Sequence, residues 1–389
     1  MMPNQDVQNK AVRPTLFLGL GGTGKEVLLR LRRKFYERLG VTGLPCTSYL
    51  WLDTDTSDKD AKGEPMSDIF SAVAFKPEEQ IGLLTGNVGG DLGDVFRNRQ
   101  SWQHIHSWLH PQVEQFGAEI ADGAGGVRAV GRLTYFFHFA KTINPRLSGA
   151  LQGVGSFHAI NDTQAFFHNR GLGAPDFLPQ PTPQVFLVTS LAGGTGCGTF
   201  LDVLFHLRAL SQHGGVPIER IVAILFMPNV FYANAADEVA RRSYANAYAA
   251  LKELEYYTLR VVDPAKELSI DFDVEWEPGT PQCIQGPPFA IANILEARNE
   301  DTILLQPSNR SELFSVVAES LFLDFIPGPF PDAKRSSYSN VSQYLAGNEG
   351  ANASYENVEL PQNFARRYAS FGMSKIEIPI DPIKGACAA

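Results

Sequence analysis

The chain has 389 residues, 44% of them hydrophobic, enough to bury a large core in two or three domains or in one α/β domain with insertions. Its net charge of −9 argues against a general nucleic-acid binder, which needs a basic surface, and its four scattered cysteines, Cys46, Cys197, Cys283 and Cys387, form no Cys-x-x-Cys pair that would indicate zinc or a disulfide framework. No apolar run approaches about eighteen residues and the first residues, MMPNQDVQNK, lack a signal-peptide core, so a cytoplasmic protein without direct membrane insertion is expected.

Pro14 to Leu20 reads as a first strand, and Gly19-Leu-Gly-Gly-Thr-Gly24 turns it into a helix with Val27, Leu28, Leu31, Phe35 and Leu39 on its inner side. The turn satisfies the dinucleotide pattern Gly-x-Gly-x-x-Gly, a weak signal alone. It nearly satisfies the Walker A pattern, but Glu26 stands where Ser or Thr must reach Mg²⁺, so a P-loop is rejected. Ser48 to Asp55 reads as a second strand ended by acidic residues. A dinucleotide fold would put Asp53 or Asp55 on a ribose, yet they lie farther from the first loop than the usual separation of about 20 residues. The stretch from about 57 to 120 reads as an insertion, and its His104, His106 and His110 lack partners at ligand spacing, so they read as partly exposed helix residues.

Gly123-Ala-Gly-Gly126 makes a further glycine loop, with Arg128 placed to add a cation to its amides and Gly131-Arg132 leading into an apolar helix. A proline-rich connector then enters the strand around Val185 to Val188, followed by Gly193, Gly194, Gly196 and Gly198 among Thr195, Cys197 and Thr199. Such spacing lets backbone N–H groups converge at a helix N-terminus without Cβ atoms in the way, which makes an anion site. Arg220 to Met227 and Phe289 to Leu295 read as buried strands, the long segment from Asp237 and Ser311 to Phe325 as helices. Alternating elements of this kind imply an α/β fold, a mostly parallel sheet with helices on both faces.

These loops, in this order, resemble the tubulin and FtsZ superfamily of GTPases, nearest to its divergent bacterial tubulin-like proteins. Ala192-Gly-Gly-Thr-Gly-Cys-Gly198 resembles the superfamily's phosphate loop, with Cys197 where serine or alanine is usual. Gly21, Gly22, Thr23 and Gly24 resemble its first glycine loop, and Asp53-Thr54-Asp55 its Asn-Thr-Asp near the phosphates and Mg²⁺. Gly123 to Gly126, with Gly131-Arg132 beyond, resembles the loop that approaches the γ-phosphate, although Arg128 stands near a place usually held by a carboxylate. Glu238 and Arg242 keep the spacing of a pair that contacts ribose and phosphates; a plain i,i+4 salt bridge is the other reading. Asn299 is the candidate that reads the base, and Asn309 or Ser311 would contact the base or cap a helix. In the superfamily an aspartate after the core helix enters the next subunit's site and orients the attacking water. Asp332 fills that role best and Asp324 less well, but the accompanying asparagine is missing and three prolines stiffen the loop.

The resemblance implies a nucleotide-binding domain over residues 1–308, a core helix at 309–326 and, over 327–389, the start of a second domain that is partial or reduced, the chain being truncated or the domain small. It implies GTP or GDP with Mg²⁺ at Gly21 to Gly24, Gly125, Gly126 and Gly193, Gly194, Thr195 and Gly196, hydrolysis weaker than usual, and head-to-tail filaments of the chain, with another protein as a further partner. A non-polymerising nucleotide-dependent scaffold or switch is the alternative, and an NAD-linked oxidoreductase, resting on the first loop alone, the third.

Overall fold

The computed structural model describes residues 12–55, 72–83, 88–116, 123–172, 175–177, 181–234, 236–259, 272–286, 288–298 and 309–326, and short pieces at 330, 334, 336, 354–355, 358–359 and 368–370. In chain order these form β1 (Thr15–Leu20), α1 (Gly21–Leu39), β2 (Thr47–Asp53), β3 (Gln80–Gly82), α2 (Val88–Arg97), α3 (Gln103–His106), α4 (Arg128–His138), α5 (Asn144–Val154) and α6 (Phe157–Asn169). There follow β4 (Gln184–Ser190), α7 (Gly194–Gln212), β5 (Arg220–Phe226), α8 (Glu238–Leu259), β6 (Phe272–Val274), β7 (Gln282–Ile284), β8 (Ile291–Leu295), α9 (Arg310–Phe325), β9 (Ser354–Tyr355), β10 (Val358–Glu359) and β11 (Tyr368–Ala369). The short pairs β6–β7 and β9–β10 are antiparallel.

The other seven strands make one parallel sheet in the order β11-β8-β5-β4-β1-β2-β3. Covered on both faces, such strands read as near-continuous apolar runs, and every residue of β1 and β4 is buried. Period-two alternation sorts them. Leu16, Leu18, Leu50, Val185, Leu187, Ile221 and Ala223 join one core, with α4, α5, α7 and α8. Phe17, Tyr49, Phe186, Val222 and Ile224 join the other, with α1 and α9. Register places Tyr49, Phe17 and Phe186 side by side across β2, β1 and β4, stacked with ring centroids 5.3 and 5.8 Å apart. Phe35 of α1 and Phe325 of α9 each meet Phe17 edge to face, with ring centroids 6.4 Å away.

Strand order reverses between β1 and β4: the chain runs outward one way through β2 and β3, and the other way through β5, β8 and β11. In open α/β sheets the crevice at such a switch point, beyond the carboxyl ends of the strands, is where ligands bind. Both glycine-rich turns, after β1 and after β4, open onto it. The stretch read as an insertion contributes β3, an edge strand of the main sheet, paired to Trp51, Leu52 and Asp53. His106 Nε2 lies 2.7 Å from the Val95 carbonyl oxygen and His104 stacks on Trp102, so both take part in packing there. The strand expected at Phe371 to Pro379 lies outside the described residues. Among the described residues no helix is long and apolar enough to cross a membrane.

Candidate functional site

Three helices begin at the switch point with bare N-termini. α1 starts directly at Gly21, α7 at Gly194 and α4 at Arg128; among the described residues none has a side-chain cap or an acidic residue in its first turn. Helices normally satisfy their first N–H groups with a capping side chain, and the dipole favours negative charge there. Three such ends pointing into one crevice leave orphan donors that an anion would satisfy.

The loops touch one another. A Cβ built on Gly21 would come 3.4 Å from the Gly196 nitrogen, and one on Gly194 would come 2.8 Å from the Val127 nitrogen and 3.0 Å from the Gly126 carbonyl carbon. α4 and α7 cross so closely that a Cβ on Gly131 would lie 2.4 Å from the Gly194 oxygen, and one on Gly198 2.3 Å from the Arg128 oxygen. Glycine at Gly131, Gly194 and Gly198 is a packing requirement, whereas at Gly21 it is the positive φ of 68° that favours glycine.

The same geometry divides the candidate residues in two. Gly24, Gly194 and Gly196 face protein: their added Cβ atoms would strike Gly19, Ala124 and the Thr189 hydroxyl. Gly22, Gly125 and Gly193 face outward, with no atom of the described residues within 4 Å of an added Cβ. Gly125 and Gly126 have φ of 54° and 77°, in the left-handed region that favours glycine. A side chain at Gly194 or Gly196 would therefore disturb the packing between the loops, whereas Gly22 and Gly193 are open on the side an added Cβ would take, among the described residues.

Two side chains that the sequence reading passed over fasten the loops. Thr54, buried at the end of β2, has its hydroxyl 2.6 Å from that of Thr195 and accepts from the Ala124 N–H at 3.0 Å, joining three loops at one atom. Asn246 of α8 donates to the Gly126 oxygen at 2.8 Å and the Ala192 oxygen at 3.2 Å, and its own carbonyl accepts from the Cys197 thiol. Burial pushes that thiol up to about 12, so Cys197 is a small buried filler. A weak signal existed for Thr54, the middle residue of Asp53-Thr54-Asp55. Asn246 had none, because its partners lie 54 and 120 residues away. Thr54→Val should cost about 1–3 kcal/mol, since a buried donor and hydroxyl lose their partner. Urea unfolding measures this, and an unchanged midpoint would show that the Thr54 contacts do not stabilise the loops.

Arg128 does not add a cation to the third loop. Its guanidinium turns away to pair with Glu253 of α8 at 3.0 and 2.5 Å and to donate to the Cys197 oxygen at 3.3 Å. Glu238 and Arg242 form the plain i,i+4 pair at 3.0 Å, yet Arg242 also donates to the Gly125 oxygen at 3.0 Å, which sets it beside the loop. Glu26 pairs with Arg30 on the side of α1, and Lys25 is buried with its ammonium 4.8 Å from the Trp51 ring centroid, unlike a lysine extended toward phosphates. Asn309, exposed, stands at the start of α9 without a side-chain cap hydrogen bond. Asp324 is buried and held by Lys334 at 2.7 Å, which removes it as a candidate for meeting water. Asn299 and Asp332 lie outside the described residues.

Asp53 is buried at the end of β2 and Asp55 is exposed beside it, with the Asp55 N–H donating to Asp53 Oδ1 at 3.3 Å. Burial raises the Asp53 carboxyl from 3.8 to about 6, opposed by the Asp55 amide and the Thr195 hydroxyl. A raised pKa means that the folded state holds the proton more tightly than the unfolded chain. Its stabilising effect is complete below about pH 4 and lost as pH rises through about 6, leaving a buried charge above. Asp53→Asn should therefore stabilise the nucleotide-free protein at pH 7 by on the order of 2 kcal/mol and flatten its stability profile between pH 4 and 6. Denaturation across that range checks it; an unchanged slope would mean that Asp53 does not titrate there.

A family model described as tubulin-like matches residues 16–389. No curated protein matches the chain. Among solved structures it is similar to CetZ from Methanosaeta thermophila, at 13% identity over 79% of this chain and 53% of that one, with a TM-score of 0.37. It is also similar to CetZ1 from Haloferax volcanii, a GDP-bound monomer, at 8% identity over 85% and 71% with a TM-score of 0.40. To a GTPγS-form protofilament of Bacillus thuringiensis serovar israelensis TubZ it shows 12% identity over 83% and 59%, with a TM-score of 0.36. The chain thus spans about half to seven-tenths of the length of these proteins.

Proposed function

Because the chain belongs to the tubulin-like family, we propose that it binds GTP and GDP with Mg²⁺ where its three glycine loops meet, and that copies assemble head to tail and hydrolyse GTP between them. The observation that carries the reading is the convergence of three uncapped helix N-termini at the switch point of the sheet. Gly22, Gly125 and Gly193 would face the phosphates, while Gly21, Thr23, Gly24, Gly126, Gly194, Thr195 and Gly196 shape the cradle. Asp53 and Asp55 are the carboxylates on hand for Mg²⁺, which commonly takes one or two and completes its shell with phosphate oxygens and water. Arg242, with Glu238 as its ion partner, would meet the ribose or phosphates, and Asn299 and Asn309 would read the base. A contact between the front of one copy and the back of the next does not close on itself and so yields a filament. In this scheme Asp332 of one copy completes the site of its neighbour, in the cytoplasm.

The test is thermal unfolding with GDP, ADP and NAD, each with and without Mg²⁺. A ligand that binds only the folded state stabilises it by about 2.7 kcal/mol at a hundredfold excess over its Kd. GDP is expected to raise the Tm most, and more with Mg²⁺. A shift with NAD alone would favour an oxidoreductase.

A further inference from the structure

We propose that the chain carries a second small-molecule site, for an aromatic carboxylate, in the cleft between α4, α7 and α8. The cleft encloses about 330 Å³, within the range of pockets that hold small ligands. Helical periodicity builds it, because each helix contributes residues four apart: Arg128 and Arg132 from α4, Leu201 and Phe205 as well as Gly198 and Asp202 from α7, Glu253 and Tyr257 from α8. Gly198 completes the floor, and its missing side chain is what lets α4 settle against α7.

The two arginines are held differently. Arg132 lies with its guanidinium 4.2 Å from the Trp108 ring centroid and pairs through Nε and Nη2 with Asp202 at 2.7 and 3.2 Å. Asp202 is 2% exposed and also accepts from Trp276 Nε1, so that pair is fixed. Arg132 Nη1 makes no hydrogen bond among the described residues. Arg128, one turn away, is gripped bidentately by Glu253, whose side chain is 45% exposed at the rim. Burying a carboxylate beside a guanidinium fork gives paired, charge-assisted hydrogen bonds. Glu253 shows that the Arg128 fork accepts a planar carboxylate in this orientation, and its exposure leaves it free to swing into water when another arrives.

The incoming carboxylate would replace Glu253 on Arg128 and reach the remaining Nη1 donor of Arg132. Its ring would lie against Leu201, Phe205 and Tyr257, where Phe205 and Tyr257 already meet edge to face at 4.9 Å. A cation would face two guanidinium groups, and a neutral ring would leave Glu253 in place. The ligand is therefore an anion with a flat apolar body. The site is separate from the phosphate cradle, since Arg128 turns away from the third glycine loop.

The experiment titrates benzoate, benzamide and benzamidine into the full chain at saturating GDP, read by saturation-transfer NMR and calorimetry. Benzoate is expected to bind, benzamide more weakly and benzamidine not at all. Glu253→Gln, at a half-exposed position, should tighten benzoate about fivefold by removing the competing charge. Tyr257→Ala, which removes a wall and leaves the arginines in place, should weaken it. Preferential binding of benzamidine, unchanged or weaker benzoate affinity in the folded Glu253→Gln protein, displacement of benzoate by GDP, or binding of none of the three would each overturn the proposal.

Discussion

Gly193→Val is expected to abolish nucleotide binding while leaving the stability of the nucleotide-free protein within about 0.5 kcal/mol, as for a surface substitution away from packing. Gly193 has φ −84° and ψ 170°, extended backbone that valine adopts without strain, and an added Cβ meets nothing within 4 Å among the described residues. The new methyl groups would occupy only the space in front of the amides of α7, where phosphate oxygens are proposed to lie. Valine at Gly194 or Gly196 should behave in the opposite way. Its Cβ would lie 2.9 Å from the Ala124 Cβ in the first case and 2.2 Å from the Thr189 hydroxyl in the second, so the loops must separate and the protein should fail to fold or lose several kcal/mol. Titration with a fluorescent GDP analogue, beside unfolding curves for all three variants, reads the contrast. A folded Gly193→Val protein of unchanged affinity would remove the phosphate from this loop.

The second large effect concerns hydrolysis. If Asp332 completes a neighbour's site, no single chain holds the whole machinery, and turnover per molecule should rise with protein concentration. Asp332→Ala should then reduce hydrolysis without weakening GTP binding, because the carboxylate acts on water in the transition state. Phosphate release and light scattering over a dilution series measure it. Release strictly proportional to protein, without assemblies, would refute the shared site and favour a nucleotide-dependent switch.

The strands and glycine loops were legible because both signals are local. Apolar runs such as Val185 to Val188 mark strands buried on both faces, and glycine spacing marks backbone that must come close to something. What the glycine approaches is set by distant chain. A Cβ at Gly194 would meet Ala124 and Val127, while one at Gly193 would meet nothing within 4 Å among the described residues, a difference that no spacing pattern carries. Arg128 read as a loop cation because its partner Glu253 lies 125 residues away on α8. Thr54 and Asn246 donate or accept across 54 to 141 residues and look, in sequence, like an ordinary strand end and a polar helix position. The edge strands β3 and β11, three and two residues long, are too short for any period to show and exist because β2 and β8 offer them a ladder.

The central claim, a guanine nucleotide held by three converging helix N-termini, is tested most directly by denaturing the freshly purified protein and identifying the released nucleotide by chromatography and mass spectrometry. The account predicts GDP or GTP from the native chain and none from a folded Gly193→Val protein. Release of NAD, or of the same nucleotide in the same amount from both proteins, would contradict it.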